Sequence, residues 1–183
     1  MVKMHIAIEG CDGTGKTVIA RELEKQGWKY IHESRPNNFD YYKNVVRIIE
    51  GGRNCMVADR WCLGQFVYNK KQERKLALSE LGTVLKDTTL VYVYADPSLI
   101  YKNTVKRDGE FEIPFGVGWR NPARKIAMEK QALRWITKIQ KRYMKVIRYI
   151  RDYTSIEVYM LEQKFDRPAE ELVTRIWDMK YDR

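Results

Sequence analysis

The stretch IAIEGCDGTGKT, residues 6–17, decides the fold of this 183-residue chain. Residues 10–17 fit the pattern G-x-x-x-x-G-K-[ST] at every fixed position, with a short apolar run before the loop and a stretch of helix formers after it. Glycines let such a loop curl until successive N–H groups point inward, and the start of the following helix adds its positive end. The stretch therefore predicts a cradle for the phosphates of a nucleotide.

The side chains of the loop and one later carboxylate complete the predicted ligand set. We expect Lys16 to neutralise the β- and γ-phosphates and Thr17 to give its hydroxyl to magnesium. Asp59 ends a later apolar run, where a second carboxylate would hold the same ion. ATP and Mg²⁺ are thus the expected ligands. The residues expected to bind the nucleotide are Gly10, Gly13, Thr14, Gly15, Lys16 and Thr17.

Apolar runs alternate with helical patterns along the whole chain. The runs predict strands at residues 4–8, 28–32, 55–58, 90–94 and 156–161. Such alternation is typical of a parallel sheet that helices cover on both faces. We therefore predict an α/β protein with the three-layer P-loop NTPase fold, in which a five-stranded parallel sheet is flanked by helices. The chain is expected to form one kinase-type domain over residues 1–183.

Helices are predicted between the strands from 3.6-residue periodicity and from the residues that end helices. Their expected ranges are 18–26, 39–50, 61–69, 73–86, 97–107, 122–151 and 168–179. The segment DGEFEIPFGVGWRNP, residues 108–122, contains three glycines and two prolines and shows no period, so it predicts a long loop. We expect this loop to belong to a lid around residues 102–121.

Composition narrows the class of protein further. Apolar residues make up 44% of the chain and charged residues 32%, which is typical of a folded protein that buries one core. No apolar run is long enough for a signal peptide or a membrane span, so we expect a cytoplasmic protein with no membrane partner. The three cysteines lack C-x-x-C spacing, which argues against a disulfide framework and against a zinc site.

A second motif extends the comparison beyond the loop. Together with ADRWCLGQFVYN at residues 58–69, the loop resembles thymidylate kinase and, more distantly, the deoxynucleoside kinases. In the former family the third strand is followed by D-R-Y/H and then by A-Y-Q. Asp59, Arg60 and Tyr68 match that pattern, whereas other residues replace the rest of it.

The resemblance implies roles for residues on the acceptor side. Arg60 would grip the phosphate of the acceptor, and Asp12 would bind a hydroxyl of its sugar. Tyr68 and Asn69 would also lie at the acceptor, since Asn69 stands where the family has a glutamine that reads the base edge.

The acceptor region is shorter than in the family. There, R-E-P follows the second strand and leads into a long helical excursion that reads thymine. Here the strand is followed by ESRP, residues 33–36, and only about twenty residues then precede Asp59, too few for that excursion. Arg35 and Phe39 are our candidates for contacts with the acceptor, and the resemblance leaves the accepted base open.

Further cations are expected from the lid. Guanidinium groups that close over the migrating phosphoryl group stabilise the charge that develops on it. The loop has no arginine between Asp12 and Lys16, which resembles the bacterial type of thymidylate kinase, whose lid provides arginines. The catalytic residues that we predict are Lys16, Asp12, Arg60, Arg107 and Arg120.

The net charge of +10 is concentrated in one segment. Between Arg120 and Arg151 there are eleven Lys or Arg residues and one acid, Glu129. On the predicted helix the apolar residues fall on one face and the bases on the opposite one. That basic face is either a solvated surface or a track for the phosphates of a nucleic acid. Its central residues are Arg134, Lys138, Lys141, Lys145 and Arg148.

Four functions fit these observations. The first is a nucleoside monophosphate kinase, which would transfer the γ-phosphate of ATP to a deoxynucleoside monophosphate. The second is a kinase whose acceptor is a DNA strand end or a modified base, and the third is a deoxynucleoside kinase. A nucleotide-dependent module that binds nucleic acid without catalysis is the fourth. The resemblance also makes a homodimer possible, although the residues contain no interface signature.

Overall fold

The computed structural model describes residues 5–32, 55–69, 77–115, 123–126 and 128–181. The strands, in chain order, are β1 (His5–Glu9), β2 (Lys29–His32), β3 (Met56–Asp59), β4 (Thr88–Tyr94), β5 (Glu112–Phe115), β6 (Ala123–Ile126) and β7 (Val158–Glu162). The α-helices are α1 (Lys16–Lys25), α2 (Gly64–Tyr68), α3 (Leu81–Val84), α4 (Pro97–Asp108), α5 (Glu129–Tyr153) and α6 (Ala169–Tyr181).

Five of the strands form a parallel sheet in the order β2-β3-β1-β4-β7, which confirms the predicted sheet. β1 is the central strand, and Ile8 pairs with Asp59 of β3 on one side and with Val91 of β4 on the other. Because the carboxyl ends of parallel strands meet at one edge, the loops that follow β1 and β3 lie side by side. The fold therefore brings the phosphate loop and Asp59 together.

The two faces of the sheet are covered by different helices. Ile6 and Ile8 point to a core that they share with α1 and α6, whereas Ala7 between them belongs to the core under α5. This alternation is the period-two pattern of a strand that is buried on both faces. Helix, sheet and helix thus form the three predicted layers.

The long helix α5 has one buried and one exposed face, as its periodicity predicts. The 3.6-residue periodicity also puts Leu133 on the apolar face, but this residue is only half-buried, and Ala132 takes a core position in its place. The lysines and arginines of the predicted basic face all lie on the exposed side. The residues that α5 buries are Ala132, Ile136, Ile139, Tyr143, Val146, Ile147 and Ile150.

The segment between α4 and α5 differs from the prediction. β5 and β6 pair as an antiparallel ribbon, so the expected loop at residues 108–122 includes a strand at its centre. The sequence EFEI, residues 110–113, alternates acids with apolar residues, and Phe111 is buried. The expected helix from residue 122 was also wrong in its start, because β6 occupies residues 123–126 and α5 begins at Glu129.

Two other predicted helices are much shorter than expected. In the segment 61–69 only Gly64–Tyr68 is helical, and just before this helix the N–H groups of Trp61 and Leu63 donate to the carboxylate of Glu9. In the segment 73–86 the described part contains a 3₁₀ turn and the four-residue α3. The predicted helix at residues 39–50 lies outside the described residues. None of the described helices has the length and hydropathy needed to cross a membrane.

Truncation of a core residue on α5 should destabilise the fold without touching the phosphate loop. Ile147 is fully buried, and Ile147→Ala should lower the free energy of unfolding by about 2–5 kcal/mol through lost burial and a cavity. Urea denaturation measures this. The adjacent exposed Arg148→Ala is the matched control, with an expected change within about 0.5 kcal/mol. Equal losses for the two variants would contradict the packing of α5.

Candidate active site

The phosphate loop follows β1 directly and leads into α1. At Gly10 a Cβ atom would stand 2.3 Å from the carbonyl oxygen of Val93, so a side chain would collide with the backbone of β4. Gly15, the residue before α1, adopts a left-handed conformation with φ 82°. These two constraints explain why glycine is needed where the loop leaves the sheet and where it enters the helix.

Lys16 lies buried inside the loop. Its Nζ donates a hydrogen bond of 2.7 Å to the carbonyl oxygen of Cys11, and the hydroxyl of Thr14 donates to the same oxygen at 2.8 Å. Burial lowers the pKa of Lys16 below its ordinary value, against the opposing effect of the Asp12 carboxylate. The ammonium group therefore has one short internal hydrogen bond and would be stabilised further by an anion in the loop.

Asp59 is fully buried and is fixed through one of its two oxygens. Its Oδ2 accepts a hydrogen bond from the hydroxyl of Thr17 at 2.6 Å and another from the hydroxyl of Tyr30 at 3.2 Å. The ring Nδ1 of His32 lies 3.0 Å from the same oxygen. Oδ1 has no hydrogen-bond partner among the described residues. The carboxylate is thus held in place through Oδ2, whereas Oδ1 is buried and unpartnered within the described ranges.

This arrangement fits a magnesium ion. A hard divalent cation prefers oxygen ligands, and the Thr17 hydroxyl lies beside a carboxylate that has an unpaired oxygen. Within the described ranges, no three His, Cys, Asp or Glu side chains form a group that could bind a metal. An ion here would therefore depend on phosphate oxygens as well as on Thr17 and Asp59.

Arg60 reaches from the end of β3 to the phosphate loop. Its side chain forms an ion pair with the carboxylate of Asp12, and the backbone N–H of Arg60 donates to the carbonyl oxygen of Ile8 at 2.9 Å. Its backbone has φ 65°, a left-handed conformation that is unfavourable for a residue with a side chain. Burial alone would lower the pKa of Arg60, but nearby groups, led by Asp12, raise it above its ordinary value. The guanidinium is therefore permanently charged.

Glu9 supports the turn that places Arg60. Its Oε1 accepts hydrogen bonds of 2.9 Å from the backbone N–H groups of Trp61 and Leu63, and the hydroxyl of Tyr143 lies 3.4 Å from Oε2. Burial raises the pKa of Glu9, although the two backbone N–H groups act in the opposite direction. One buried carboxyl group thus joins β1, the segment after β3 and α5.

Helix α4 closes the other side of the loop. The side-chain amide of Asn103 donates to the carbonyl oxygen of Gly13 at 3.1 Å. Thr104 is so close that a Cβ on Gly13 would lie 2.4 Å from its hydroxyl oxygen. That hydroxyl is buried and has no hydrogen-bond partner among the described residues. Arg107, in the last turn of α4, donates to the carboxylate of Asp108 at 2.7 and 2.5 Å.

These elements enclose one cavity of about 590 Å³ beside the phosphate loop. Arg60 and Arg107 line it together with the loop, so the structure brings these predicted site residues to one space. Trp135 of α5 forms part of the wall and packs edge-on against Phe111, with ring centroids 6.0 Å apart. The polar residues that line the cavity are Asp12, Lys16, Thr17, Arg60, Asn103, Thr104, Arg107, Asp108, Glu110 and Glu112.

Two predicted acceptor residues lie behind this space. Tyr68 packs between Trp135 and Tyr143, with ring centroids 6.1 and 6.2 Å away, and burial raises the pKa of its hydroxyl. Asn69 is buried at the end of α2. Neither lines the cavity, so their contact with an acceptor stays a prediction. The predicted residues Arg35, Phe39 and Arg120 lie outside the described part of the chain.

Sequence reasoning missed several residues that shape the site. Glu9 is an acid at the end of an apolar strand, a position that could have suggested a buried hydrogen-bonding role. Tyr30 and His32 alternate along β2 and meet Asp59 on the neighbouring strand, which only the strand order reveals. Asn103 and Trp135 reach the site through helix packing, for which the sequence contains no local signal.

Two substitutions of Glu9 should distinguish the effect of its hydrogen bonds on stability from the effect of its charge. Glu9→Gln retains an oxygen for the two N–H groups, whereas Glu9→Ala leaves both N–H groups buried without that acceptor and should destabilise by about 1–3 kcal/mol. Because the folded-state pKa is raised above 4.5, the contribution of protonated Glu9 is present at low pH and disappears as pH rises through that pKa.

The stability of the native chain relative to Glu9→Gln should therefore fall as the pH is raised above 4.5. Unfolding with urea at several pH values between 4 and 8 measures the difference. A difference that stays constant with pH would contradict the buried, charge-sensitive environment of Glu9, and an undiminished stability of Glu9→Ala would contradict its hydrogen bonds.

Known proteins resemble this chain in their structures rather than in their sequences. No family model and no curated protein sequence matches the chain. Among solved structures, the YorR protein of Bacillus subtilis, determined in complex with phosphorylated GDP, is similar with a TM-score of 0.66 and 19% identity. That alignment covers 96% of this chain and 95% of YorR.

Two kinases align over similar lengths. Deoxyadenosine kinase from M. mycoides with bound dCTP has a TM-score of 0.58 and 15% identity, and the match covers 98% of this chain and 100% of the kinase. For thymidylate kinase from Candida albicans the TM-score is 0.54 and the identity 12%, with coverage of 97% and 90%. The chain therefore has the three-layer α/β fold of the P-loop kinases.

Proposed function

We propose that this protein is a kinase that transfers the γ-phosphate of ATP to a nucleoside monophosphate, with a deoxynucleoside monophosphate as the expected acceptor. The observation that supports this most is the position of Arg60. Its guanidinium lies against Asp12 of the phosphate loop and borders the same cavity as Lys16. A second phosphate-binding cation beside a donor loop suits a reaction between two phosphorylated molecules.

The donor nucleotide would be held by the loop. Lys16 would exchange its hydrogen bond with the Cys11 carbonyl for phosphate oxygens, and the loop N–H groups would surround the same oxygens. The anion would restore the pKa of Lys16 toward its ordinary value, because it offsets the cost of burying the ammonium group. Lys16 therefore serves as the main electrostatic contact for the donor.

Thr17 and Asp59 would hold the magnesium ion at the donor phosphates. The ion would supply neutralisation of the charge on the β- and γ-phosphates. Tyr30 and His32 fix Oδ2 of Asp59 from the side opposite to the loop. The three contacts on Oδ2 also fix the position of Oδ1. The carboxylate therefore requires little reorganisation when it binds a ligand.

The acceptor would be oriented by Arg60 and Asp12. The guanidinium of Arg60 would bind the phosphate of the acceptor, and a hydroxyl of the acceptor's sugar would donate a hydrogen bond to the carboxylate of Asp12. The permanent charge of Arg60 suits a phosphate over the whole physiological pH range. Since the two side chains now pair with each other, the acceptor would replace one ion pair by two contacts of its own.

Cations at the mouth of the cavity would stabilise the transferring group. Arg107 lines the cavity and lies close enough to Asp12 for the two charges to interact. We propose the same role for Arg120. A group in transfer spreads negative charge over its equatorial oxygens, and positioned guanidinium groups are worth about a thousandfold or more in rate.

A nucleoside kinase is the second candidate, and the similarity to deoxyadenosine kinase favours it. Such an enzyme would use the same donor loop with an acceptor that has no phosphate. Arg60 would then have no acceptor phosphate to bind, and this is the reason that a monophosphate is our first choice. The acceptor therefore decides between the two reactions.

The experiment is transfer of labelled γ-phosphate from ATP with magnesium to free deoxynucleoside monophosphates, deoxynucleosides and DNA oligomers in parallel. Label on a monophosphate, with dTMP in the panel, would support the proposal. Label on deoxynucleosides alone would favour the second candidate. Label confined to DNA would replace both by a kinase that acts on nucleic acid, and no transfer to any of these acceptors would contradict the proposed nucleotide kinase.

Removal of the loop lysine should abolish most of the activity with every acceptor. Lys16→Ala deletes a buried charge at the donor phosphates, and we expect kcat/KM to fall by about a hundredfold to a thousandfold. Steady-state kinetics measure the loss. Lys86→Ala, which removes an exposed lysine in the turn after α3, is the matched control and should be close to the native protein. Turnover retained in Lys16→Ala would remove the loop from the mechanism.

Replacement of Arg60 should separate the two candidate acceptors. Arg60→Ala should raise the KM for a monophosphate by about tenfold to a hundredfold, because one charged hydrogen-bonding group is lost. The KM for ATP should change little. Arg60→Lys keeps the charge but not the planar fork, and an intermediate KM is expected. An unchanged KM for the monophosphate in Arg60→Ala would refute the proposed role.

A further inference from the structure

The exposed face of α5 is a continuous row of bases. Its six members follow one another at intervals of three or four residues, so they share one side of the helix. All six are exposed. From first to last they span eighteen residues, which is roughly 27 Å at about 1.5 Å per residue. We call this row the α5 basic face; it consists of Lys130, Arg134, Lys138, Lys141, Lys145 and Arg148.

No acid balances the α5 basic face within the described part of the chain. Residues 130–148 include no Asp or Glu, and none of the six bases forms an ion pair in the described ranges. On α1, by contrast, Arg21 pairs with Glu24 and Lys25 pairs with Glu22. Like charges four residues apart destabilise a helix. A helix that keeps six of them unbalanced is better explained by an anionic ligand than by solubility alone.

The surface beside these bases is concave. Arg134, Lys138, Lys141 and Lys145 border a groove of about 620 Å³, whose other described lining includes Leu133 and Thr137. Arg142, also at the groove, is fixed by a hydrogen bond of 2.7 Å to the carbonyl oxygen of Val67. A groove with cations along it is a suitable site for a linear polyanion rather than for a single small anion.

At its carboxyl end the helix adds a pair of tyrosines. The rings of Tyr149 and Tyr153 are 4.9 Å apart, and Tyr153 is 74% exposed. By helical rotation of about 100° per residue, Tyr149 flanks the α5 basic face near Arg148. Exposed aromatic rings beside a basic groove can stack on unpaired bases.

These features favour a nucleic acid over an anionic membrane. A helix that lies in a membrane surface buries its apolar face in lipid, whereas the apolar residues of α5, such as Ile136 and Ile147, are buried in the protein core. The phosphates of one strand recur about every 3.4 Å along a duplex, so the α5 basic face would span about eight of them. The length, charge and adjoining aromatic pair all match a strand.

We infer that the α5 basic face binds a nucleic-acid strand through its phosphate backbone, independently of the phosphate loop. Trp135 lines the cavity beside the phosphate loop, and Arg134 next to it belongs to the α5 basic face, so a bound strand would pass close to that cavity. The binding does not require transfer of phosphate, and it stands or falls separately from the proposed kinase activity.

The test is fluorescence anisotropy of a labelled twenty-nucleotide oligo-dT strand with the full chain, without ATP, at several salt concentrations. With six phosphate contacts, the affinity should fall about three-hundredfold between 50 and 200 mM salt. A variant with Arg134→Gln, Lys138→Gln, Lys141→Gln and Lys145→Gln retains two contacts, and its affinity should fall only about sevenfold over the same range.

A matched control removes the same charge elsewhere. Lys29→Gln, Lys86→Gln, Lys164→Gln and Arg167→Gln are exposed and lie off α5, so this variant should bind like the native protein. Lys16→Ala should also bind normally. A cooperative thermal transition with a midpoint no lower than that of the native protein establishes that the quadruple α5 variant is folded. The inference is overturned by no binding at 50 mM salt, by equal weakening in the two quadruple variants, or by binding to phosphatidylserine vesicles but not to the oligonucleotide.

Discussion

The buried carboxyl group of Glu9 is the contact on which the site depends. Glu9 ends the central strand, and its Oε1 accepts the N–H groups of two residues that follow β3. Those N–H groups would otherwise be buried without this acceptor, at a cost comparable to a lost hydrogen bond each. These two bonds anchor the chain after Asp59 to the end of β1, from which the phosphate loop begins. The left-handed conformation of Arg60 is a local strain that this anchored segment sustains.

The site is consequently assembled from three directions by rigid elements. β1 and the loop supply the donor side, β3 supplies Asp59 and Arg60, and α4 borders the loop through Asn103. The two central cations have defined partners before any ligand is present. Lys16 bonds to the Cys11 carbonyl and Arg60 pairs with Asp12, so substrates would exchange existing contacts rather than order free side chains.

Much of this arrangement follows from the sequence, and the rest depends on contacts between distant residues. The pattern of residues 10–17 fixes the loop, and the alternation of strands with helices fixes the parallel sheet, so the proximity of Thr17 to Asp59 could be expected. The anchoring of the segment after Asp59 could not, because its acceptor is Glu9, more than fifty residues earlier in the chain. The ribbon of β5 and β6 was also missed, because the alternation of acids with apolar residues covers only residues 110–113. Pro114 and the glycines that follow interrupt it. Neither the sequence pattern nor the contacts between distant residues predict how a side chain binds a ligand, because the atoms of the ligand are not part of the chain.

The attachment of α4 to the phosphate loop has a kinetic consequence. Asn103 bonds to the Gly13 carbonyl and Thr104 packs on Gly13, so the last turn of α4, with Arg107, keeps a fixed distance from the loop. This arginine, whose side chain is 60% exposed, is in position before a nucleotide arrives. Its field acts on an approaching polyphosphate within about 8 Å at physiological ionic strength. Under the proposed function, Arg107 would contribute to the rate of nucleotide capture as well as to the reaction, and high salt would slow association.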